Sequence, residues 1–346
     1  MNNWKKLGVS ALCGALASVS AANAGEIGVT GAVTITHATG DPDETTGNVL
    51  GMSRDFGFNA SGEMDNGTSW SYTAFMTADL ASLSSASAVY NVDGIGEIRL
   101  GMNNTTAMMG IDDVMPSAYE EAWGNGIATG INLVSGAGTG TALNFTTEAG
   151  MLPMDSSFMV SYTPKNESTR NGDKAFSAST SQAGSAWGVR LTTGLGVEGL
   201  TLGAAYAESK NTNKGAGTNT HSDDKEEMNA YLKYAVGSFT IGYQQTYEDP
   251  AIRLNTGTQH YESEAFGVSF QVNDNLSISY GEHNSTRVHG TSSNVELETT
   301  GINAAYNIGG ATLKLSHSTA DNVNYNTTAN ADNDDEHTVL AIGMAF

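Results

Sequence analysis

The sequence of 346 residues has little cysteine, few basic side chains and few charges overall. A single cysteine gives no basis for a disulfide framework. The 15 lysines and arginines face 37 acidic residues, for a formal charge of −22. This excess argues against a nucleic-acid partner, because phosphate contacts need a basic surface. Only 15% of residues are charged and 8% are aromatic, which argues against a disordered acidic chain.

The first residues have the pattern of a secretory signal peptide. Lys5 and Lys6 give a positive start, an uncharged apolar stretch follows, and Ala22-Asn23-Ala24 is a small-x-small cleavage site. We therefore expect residues 1–24 to be removed on export and residues 25–346 to form the mature protein. An uncleaved membrane anchor is the alternative.

The expected mature chain lacks two further features. Cys13 lies in the leader, where the preceding Leu12 argues against a lipoprotein site, so the mature chain would contain no cysteine. Removing two lysines leaves 13 basic residues against 37 acidic ones, a formal charge of −24. No mature segment has 18 consecutive apolar residues, so we expect no transmembrane helix. A periplasmic or secreted protein remains, or a β-barrel, whose sequence signal is weak.

Apolar side chains at every second position dominate the mature region. A period of two places alternate residues on opposite faces of a strand. The second face carries Gly, Ala, Ser, Thr and Asn, which suits a lumen better than the outside of a soluble sandwich. The clearest cases lie at 27–35, 200–206, 239–243, 276–280 and 340–346.

Short turns alternate with longer polar connections. The short turns carry the Gly, Asn and Asp residues of tight hairpins. They are Asp65-Asn66-Gly67, Asp93-Gly94, Val197-Glu198-Gly199, Gly237-Ser238, Asn273-Asp274-Asn275 and Gly309-Gly310. The long connections run over about 38–50, 79–86, 103–155, 182–186, 209–225, 249–260, 286–295 and 320–335. With a weaker seventh turn near 165–173, this pattern predicts a one-domain barrel of sixteen strands.

Aromatic residues fall on the apolar parity of their predicted strands. A transmembrane barrel carries such residues on its outer face near the membrane interfaces. The alternative is the aromatic core of a soluble β-sandwich. The residues are Trp70, Tyr72, Phe158, Tyr162, Trp187, Tyr234, Phe239, Tyr243, Phe266, Phe270, Tyr280 and Tyr306.

The sequence ends on an alternating strand, with Leu340, Ile342, Met344 and Phe346 on one face. Chain ends usually fray, so a terminal aromatic in a strand is unusual for a soluble domain. A terminal Phe346 resembles the assembly signal of Gram-negative outer-membrane proteins. Together with Gly62–Gly67, Gly96–Gly101 and Ala341–Phe346, it makes the chain resemble a sixteen-stranded general diffusion porin. Met344 stands where that family more often has Tyr.

The resemblance implies an all-β fold, a transmembrane antiparallel β-barrel of 16 strands in the cell outer membrane. It also implies a homotrimer in which each subunit forms a pore, and a long third loop folded into that pore. The connection at about 103–155 stands in the position of that loop. Its acidic candidates for the constriction are Asp112, Asp113, Glu120 and Glu121, with Glu148 later. Individually, each could instead be a solvated loop charge.

The basic side of the constriction is expected from residues that face the lumen. Arg99 and Arg190 each lie between two apolar residues, so their parity points inward. Lys233 and Lys314 share that parity. Arg54 is a weaker candidate, because it shares parity with Phe56 and Phe58 unless a bulge intervenes. A cation facing lipid at mid-depth costs about 2–4 kcal/mol, which supports the inward assignments.

Opposed charges across a constriction would set up a transverse field that aligns dipolar solutes and hinders apolar ones. With the −24 charge of the mature chain, we expect passive diffusion of ions and small hydrophilic solutes and a weak cation preference. A substrate-selective channel, a β-barrel enzyme and a surface adhesin are the alternatives. No catalytic motif supports an enzyme.

We expect no cofactor, although acidic loop clusters leave a bound divalent cation open. These are Asp41–Glu44, Asp223-Asp224 and Asp332–Glu336, and none has the spacing of an EF-hand. The simpler interpretation is a solvated acidic rim. The expected partners are two further copies of the chain, outer-membrane lipid and lipopolysaccharide, the barrel assembly machinery and small hydrophilic solutes.

Overall fold

The computed structural model describes residues 26–40, 47–76, 83–102, 111, 114–124, 126–136, 140–166, 183–211, 223–251, 257–290, 292–327 and 333–346. The expected leader with Cys13 lies outside these residues. No helix in the described part is both long and apolar enough to span a membrane.

Sixteen strands form one closed antiparallel barrel in which each strand pairs with its neighbours in sequence and β1 pairs with β16. The strands are β1 (Glu26–Gly40), β2 (Leu50–Glu63), β3 (Ser69–Met76), β4 (Leu83–Val92), β5 (Gly96–Met102), β6 (Ala142–Thr147), β7 (Ser157–Thr163), β8 (Ala183–Thr193), β9 (Leu200–Asn211), β10 (Lys225–Val236), β11 (Phe239–Asp249), β12 (Thr258–Gln271), β13 (Leu276–His289), β14 (Val295–Asn307), β15 (Thr312–Asp321) and β16 (Asp335–Ala345). A 3₁₀ turn, Val323–Tyr325, lies between β15 and β16. The predicted sixteen-stranded barrel is confirmed.

The two faces of the strands differ as the alternation predicts. In β10, Met228, Leu232 and Tyr234 are exposed, whereas Glu227 and Asn229, on either side of Met228, are buried. We call the face with exposed apolar side chains the outer face and the other the inner face. An apolar outer face with a polar inner one is the arrangement of a barrel in a membrane, the reverse of a soluble sandwich.

The aromatic residues follow the same division. Four of the predicted aromatics are half-buried, and eight are exposed. The exposed ones are Tyr72, Tyr162, Trp187, Tyr234, Phe239, Tyr243, Phe266 and Tyr306. The aromatic core of a sandwich is therefore excluded for these side chains.

Short and long connections alternate around the barrel, and all six clear turn signals lie at short connections. Gly94 and Gly237 adopt φ values of 72° and 58°, which explains the need for glycine in these tight turns. The prediction around strands six and seven was wrong. Residues 142–147 form β6 inside the span that we assigned to one connection, so that connection ends at Thr141.

Two further predicted boundaries change with this correction. The seventh short connection is at 148–156, rather than near 165–173, and β8 begins at Ala183 within the predicted loop 182–186. The physical reason is that β6 is only six residues long, with Leu143 exposed and Asn144 buried. Such a short alternation is easily taken for loop.

The terminal residue completes the seam between β16 and β1. The amide of Phe346 donates to the Gly31 carbonyl over 2.9 Å, and the amide of Gly31 donates to the Phe346 carbonyl over 2.8 Å. The ring covers Gly31 on the outer face, where a Cβ would lie 2.4 Å from the Phe346 Cζ. Leu340 and Met344 are exposed on the same face, as the sequence predicts.

Removal of Phe346 is expected to lower the free energy of unfolding by about 1–3 kcal/mol, because two backbone hydrogen bonds of the seam are lost. Phe346→Ala keeps both hydrogen bonds, so we expect a smaller decrease in the free energy of unfolding. Urea unfolding of the folded barrel in detergent measures both. Equal midpoints for the wild type and the shortened chain would contradict the seam contact.

Candidate functional site: a segment on the inner wall

The connection between β5 and β6 contacts the inner faces of β10, β11, β13 and β14. We call its described residues 111, 114–124 and 126–136 the inner segment. At its start, the Ile111 carbonyl accepts hydrogen bonds from the side-chain amides of Asn229, at 2.5 Å, and Gln244, at 2.7 Å. The Ile111 side chain is fully buried with Val134 and Met159, which fixes this end by apolar packing.

The middle of the inner segment is held by two buried polar side chains. Ser279 Oγ accepts from the backbone amide of Ala118 at 2.8 Å. Asn303 accepts from the Glu120 amide at 3.3 Å through Oδ1 and donates to the Glu120 carbonyl at 2.9 Å through Nδ2. Because these bonds engage the backbone, they hold the segment whatever side chains it carries.

The end of the inner segment meets a charged cluster on β10 and β11. Lys225 Nζ lies 2.9 Å from both Glu227 Oε1 and Glu248 Oε2. The Ser135 amide and hydroxyl donate to Glu227 at 2.9 Å and 3.2 Å, and Asn132 Nδ2 donates to Glu248 at 3.1 Å. The two carboxylate side chains are only 2% and 6% exposed, so the lysine and these donors must compensate for their lost hydration.

Tyr325, from the connection between β15 and β16, also contacts this end. Its hydroxyl accepts from the Asn132 amide at 2.8 Å and lies 2.7 Å from Ser285 Oγ. The Arg287 guanidinium lies over the ring and donates to the Tyr325 carbonyl at 2.8 Å. Burial raises the pKa of Tyr325 to about 12, so the hydroxyl stays neutral over the ordinary pH range.

The predicted acidic residues separate into distinct groups. Asp112 and Asp113 lie outside the described residues. Glu121 organises the segment itself, accepting from the Met115 amide at 2.8 Å and from Trp123 Nε1 at 2.9 Å. Glu120 lies beside Asn303. Glu148 belongs to the short connection after β6, so our placing of it on the third loop was wrong.

Tyr119 lies next to Glu120 and under a basic side chain. Lys314 Nζ is 4.6 Å from the centre of its ring, a cation–π contact. Burial and the nearby Glu120 raise the pKa of Tyr119 above its ordinary value. A cation therefore accompanies the acidic residues on this side of the barrel.

Arg99 and Arg190 line one cavity of about 830 Å³ at the rim with the short connections. Glu97 and Glu148 line it as well, and Arg99 Nε donates to Glu97 Oε1 at 2.9 Å. The inward parity predicted for both arginines agrees with this placement. Arg190 pairs in register with Met159 and Ala205, which are buried with the start of the inner segment.

Arg54 lies on the outer face, so its assignment to the pore wall was wrong. The β1–β2 ladder continues without a register shift from Leu50 to Ser61, and no bulge turns Arg54 inward. It therefore shares the parity of the exposed Leu50, Met52 and Phe58.

Two of the candidate residues, Glu120 and Arg99, lie on different sides of the barrel. Each has a group of opposite charge nearby, since Lys314 lies over the Tyr119 ring beside Glu120 and Glu97 pairs with Arg99. Glu120 contacts β14, and its neighbour Ala118 contacts β13. Arg99 is on β5, which is eight strands from β13 in a closed ring of sixteen. Arg99 and Glu120 therefore lie near opposite walls of the barrel.

Sequence reasoning missed the residues that hold the inner segment. Glu227, Glu248, Asn229 and Gln244 are polar residues on the inner parity of their strands, and this was the available signal. Their partners are more than 90 residues away in sequence, so no spacing pattern reveals the pairing.

Among the described residues, no three His, Cys, Asp or Glu side chains converge as a metal site would require. Of the acidic loop clusters, Asp41–Glu44 and Asp332 lie outside the described residues. Asp223 and Asp224 are described, and Asp224 accepts from the Asn211 amide at 2.9 Å.

The barrel is similar to several solved outer-membrane proteins. The trimer form of OmpT from Vibrio cholerae matches with a TM-score of 0.66 and 11% identity over 94% of this chain and 100% of that one. Salmonella typhi OmpF in complex with daunomycin matches with a TM-score of 0.63 and 15% identity over 93% of this chain and 98% of that one. The outer membrane channel DcaP of Acinetobacter baumannii matches with a TM-score of 0.62 and 12% identity over 93% of this chain and 97% of that one.

At such low identity these similarities show the fold alone. No curated protein sequence matches the chain. The model of the Gram-negative porins, however, matches residues 8–325. The chain is therefore an outer-membrane β-barrel and belongs to the Gram-negative porin family.

Proposed function

We propose that this porin forms a water-filled channel for passive diffusion of ions and small hydrophilic solutes, narrowed by the inner segment. The observation that carries the proposal is the attachment of that segment to the inner wall by buried side chains of β10, β11, β13 and β14. A segment held by backbone and carboxylate contacts stays in place while water fills the rest of the lumen.

The proposed selectivity is weakly cationic. Glu120 and Glu121, with Asp112 and Asp113, form its acidic side, and Arg99 and Arg190 form the opposing basic wall. A narrow ring of charged side chains filters ions by its local field. The −24 charge of the expected mature chain favours cations at the mouths.

The proposed assembly is a homotrimer in the outer membrane, supported by the trimer form of the similar OmpT. We further propose export through a signal peptide cleaved after Ala24, recognition of Phe346 by the barrel assembly machinery, and contact with lipopolysaccharide. The protein acts without catalysis or a cofactor in this proposal. An acidic loop cluster remains a place for a divalent cation.

Permeability of protein-loaded liposomes tests the channel. Small uncharged sugars are expected to enter faster than larger ones, and a potassium chloride gradient is expected to give a reversal potential that favours potassium. Heat-modifiable migration on a gel provides the folding control. A reversal potential that favours chloride would overturn the selectivity, and folded protein that passes no sugar would overturn the channel.

A further inference from the structure

Four glycines on the inner face lie side by side across four neighbouring strands. Gly242 of β11 pairs with Gly267 of β12, Gly267 pairs with Gly281 of β13, and Gly281 pairs with Gly301 of β14. We call this set the glycine row. With neighbouring strands about 4.8 Å apart, it forms a trough about 14 Å long that lacks side chains.

The inner segment fills the trough. Pro116 lies against Gly242 and Gly267, where its Cδ would be 2.5 Å and 3.0 Å from an added Cβ. Ala122 lies against Gly301, where its Cα would be 2.9 Å from an added Cβ. Carbon atoms pack best at about 3.5–4.0 Å, so none of these three positions has room for a methyl group unless the segment moves.

Gly281 differs from the other three members of the row. A Cβ added there would meet the Phe266 carbonyl oxygen at 3.5 Å and Ala122 Cβ at 4.0 Å, which are ordinary contacts. The row therefore contains its own control position, because alanine fits at Gly281 and does not fit at Gly242 or Gly301.

Buried polar side chains beside the row fix the segment along the trough. Ser279 and Asn303 lie two residues from Gly281 and Gly301 on the same strands and the same face. They are 7% and 3% exposed and bind the backbone of Ala118 and Glu120. Together, the missing side chains and these bonds determine both the depth and the position of the segment.

We propose that the glycine row sets the distance between the inner segment and the barrel wall, and through it the width of the pore. Gly242, Gly267 and Gly301 are then positioning residues whose function is to carry no side chain. The claim about width rests on the channel function proposed above. A methyl group at Gly242 or Gly301 moves the segment into the lumen and narrows the path.

A disulfide tests the seating without measuring transport. In Ala122→Cys with Gly281→Cys, the two Cβ atoms would be 4.0 Å apart, within the range of about 3.5–4.5 Å for disulfides. The sequence has no cysteine besides Cys13, which lies in the expected leader. Oxidation of the folded protein is expected to form the bond, seen as faster migration of the denatured, unreduced chain.

Ala122→Cys with Gly28→Cys is the matched control. Gly28 is an inner-face glycine of β1, and among the described residues a Cβ added there would come within 4.0 Å of Asn59 and not of Ala122. This pair is expected to stay reduced. Folded protein in which the Ala122→Cys and Gly281→Cys pair stays reduced as well would overturn the seating.

Single-channel conductance tests the effect on width. Gly242→Ala and Gly301→Ala are expected to conduct less than the wild type, whereas Gly281→Ala is expected to equal it. Equal conductance of all three folded variants would overturn the proposed control of width. If the Ala122→Cys and Gly281→Cys pair forms the disulfide but the wild type forms no channel, the proposed function and the claim about width are overturned. If the wild type conducts but the double-cysteine variant forms no disulfide, only the proposed contact between the inner segment and the glycine row is overturned.

Discussion

Replacing Lys225 by methionine is expected to lower the free energy of unfolding of the barrel by about 3–5 kcal/mol. The substitution leaves Glu227 and Glu248 buried together without the ammonium group that lies 2.9 Å from each. Two desolvated carboxylates then repel each other, and the relief of that repulsion releases Ser135 and Asn132 of the inner segment. We therefore also expect noisier open-channel current.

Urea unfolding in detergent measures the free energy, with Lys233→Met as the control. Lys233 is on the inner face of the same strand, but its contact is the Tyr231 ring at 5.9 Å, worth about 0.5–1 kcal/mol. Adding Glu227→Gln and Glu248→Gln to Lys225→Met is expected to restore most of the stability, since no buried charge remains. Equal losses for Lys225→Met and Lys233→Met would show that the charged cluster does not hold the segment.

Arg190→Gln and Glu120→Gln are expected to shift ion selectivity in opposite directions. Loss of the arginine removes a repulsion for cations, and loss of the glutamate removes an attraction for them. Two unit charges at about 4 Å interact by about 1 kcal/mol in water, so each substitution should change the cation-to-anion permeability ratio by about twofold to fivefold.

Reversal potentials in a salt gradient measure both shifts. Arg54→Gln is the control for Arg190→Gln, because it removes the same charge from the outer face. Glu264→Gln is the corresponding outer-face control for Glu120→Gln. Both controls are expected to match the wild type. Shifts of the same sign for Arg190→Gln and Glu120→Gln, or a full shift for Arg54→Gln, would contradict the transverse field.

Local patterns predicted most of the barrel and little of its interior. Alternation and turn chemistry depend on neighbouring residues, so the strand count, the six turns and the inward direction of Arg99 and Arg190 could be derived from the sequence. β6 escaped because six residues bounded by polar segments resemble a loop. For Arg54, the alternation of β2 predicted the outer face, whereas the cost of placing a cation in lipid favoured the inner face. The alternation gave the correct result.

The attachment of the inner segment could not be derived, because it depends on which distant strands close on one another. Ser135 meets Glu227 and Asn303 meets Glu120 only after the sheet has closed with its register. The glycine row is an example of the same limit. Its four members are separated by 14 to 25 residues in sequence, and only strand pairing brings them into line.

The most direct test of the channel is the single-channel conductance in planar bilayers of the purified protein and of a variant with residues 114–136 replaced by a short Gly-Ser linker. We predict stepwise, long-lived openings for the wild type and larger steps for the variant, whose lumen lacks the segment. Heat-modifiable wild-type protein that gives no steps, or a folded variant with steps no larger than those of the wild type, would contradict a channel narrowed by this segment.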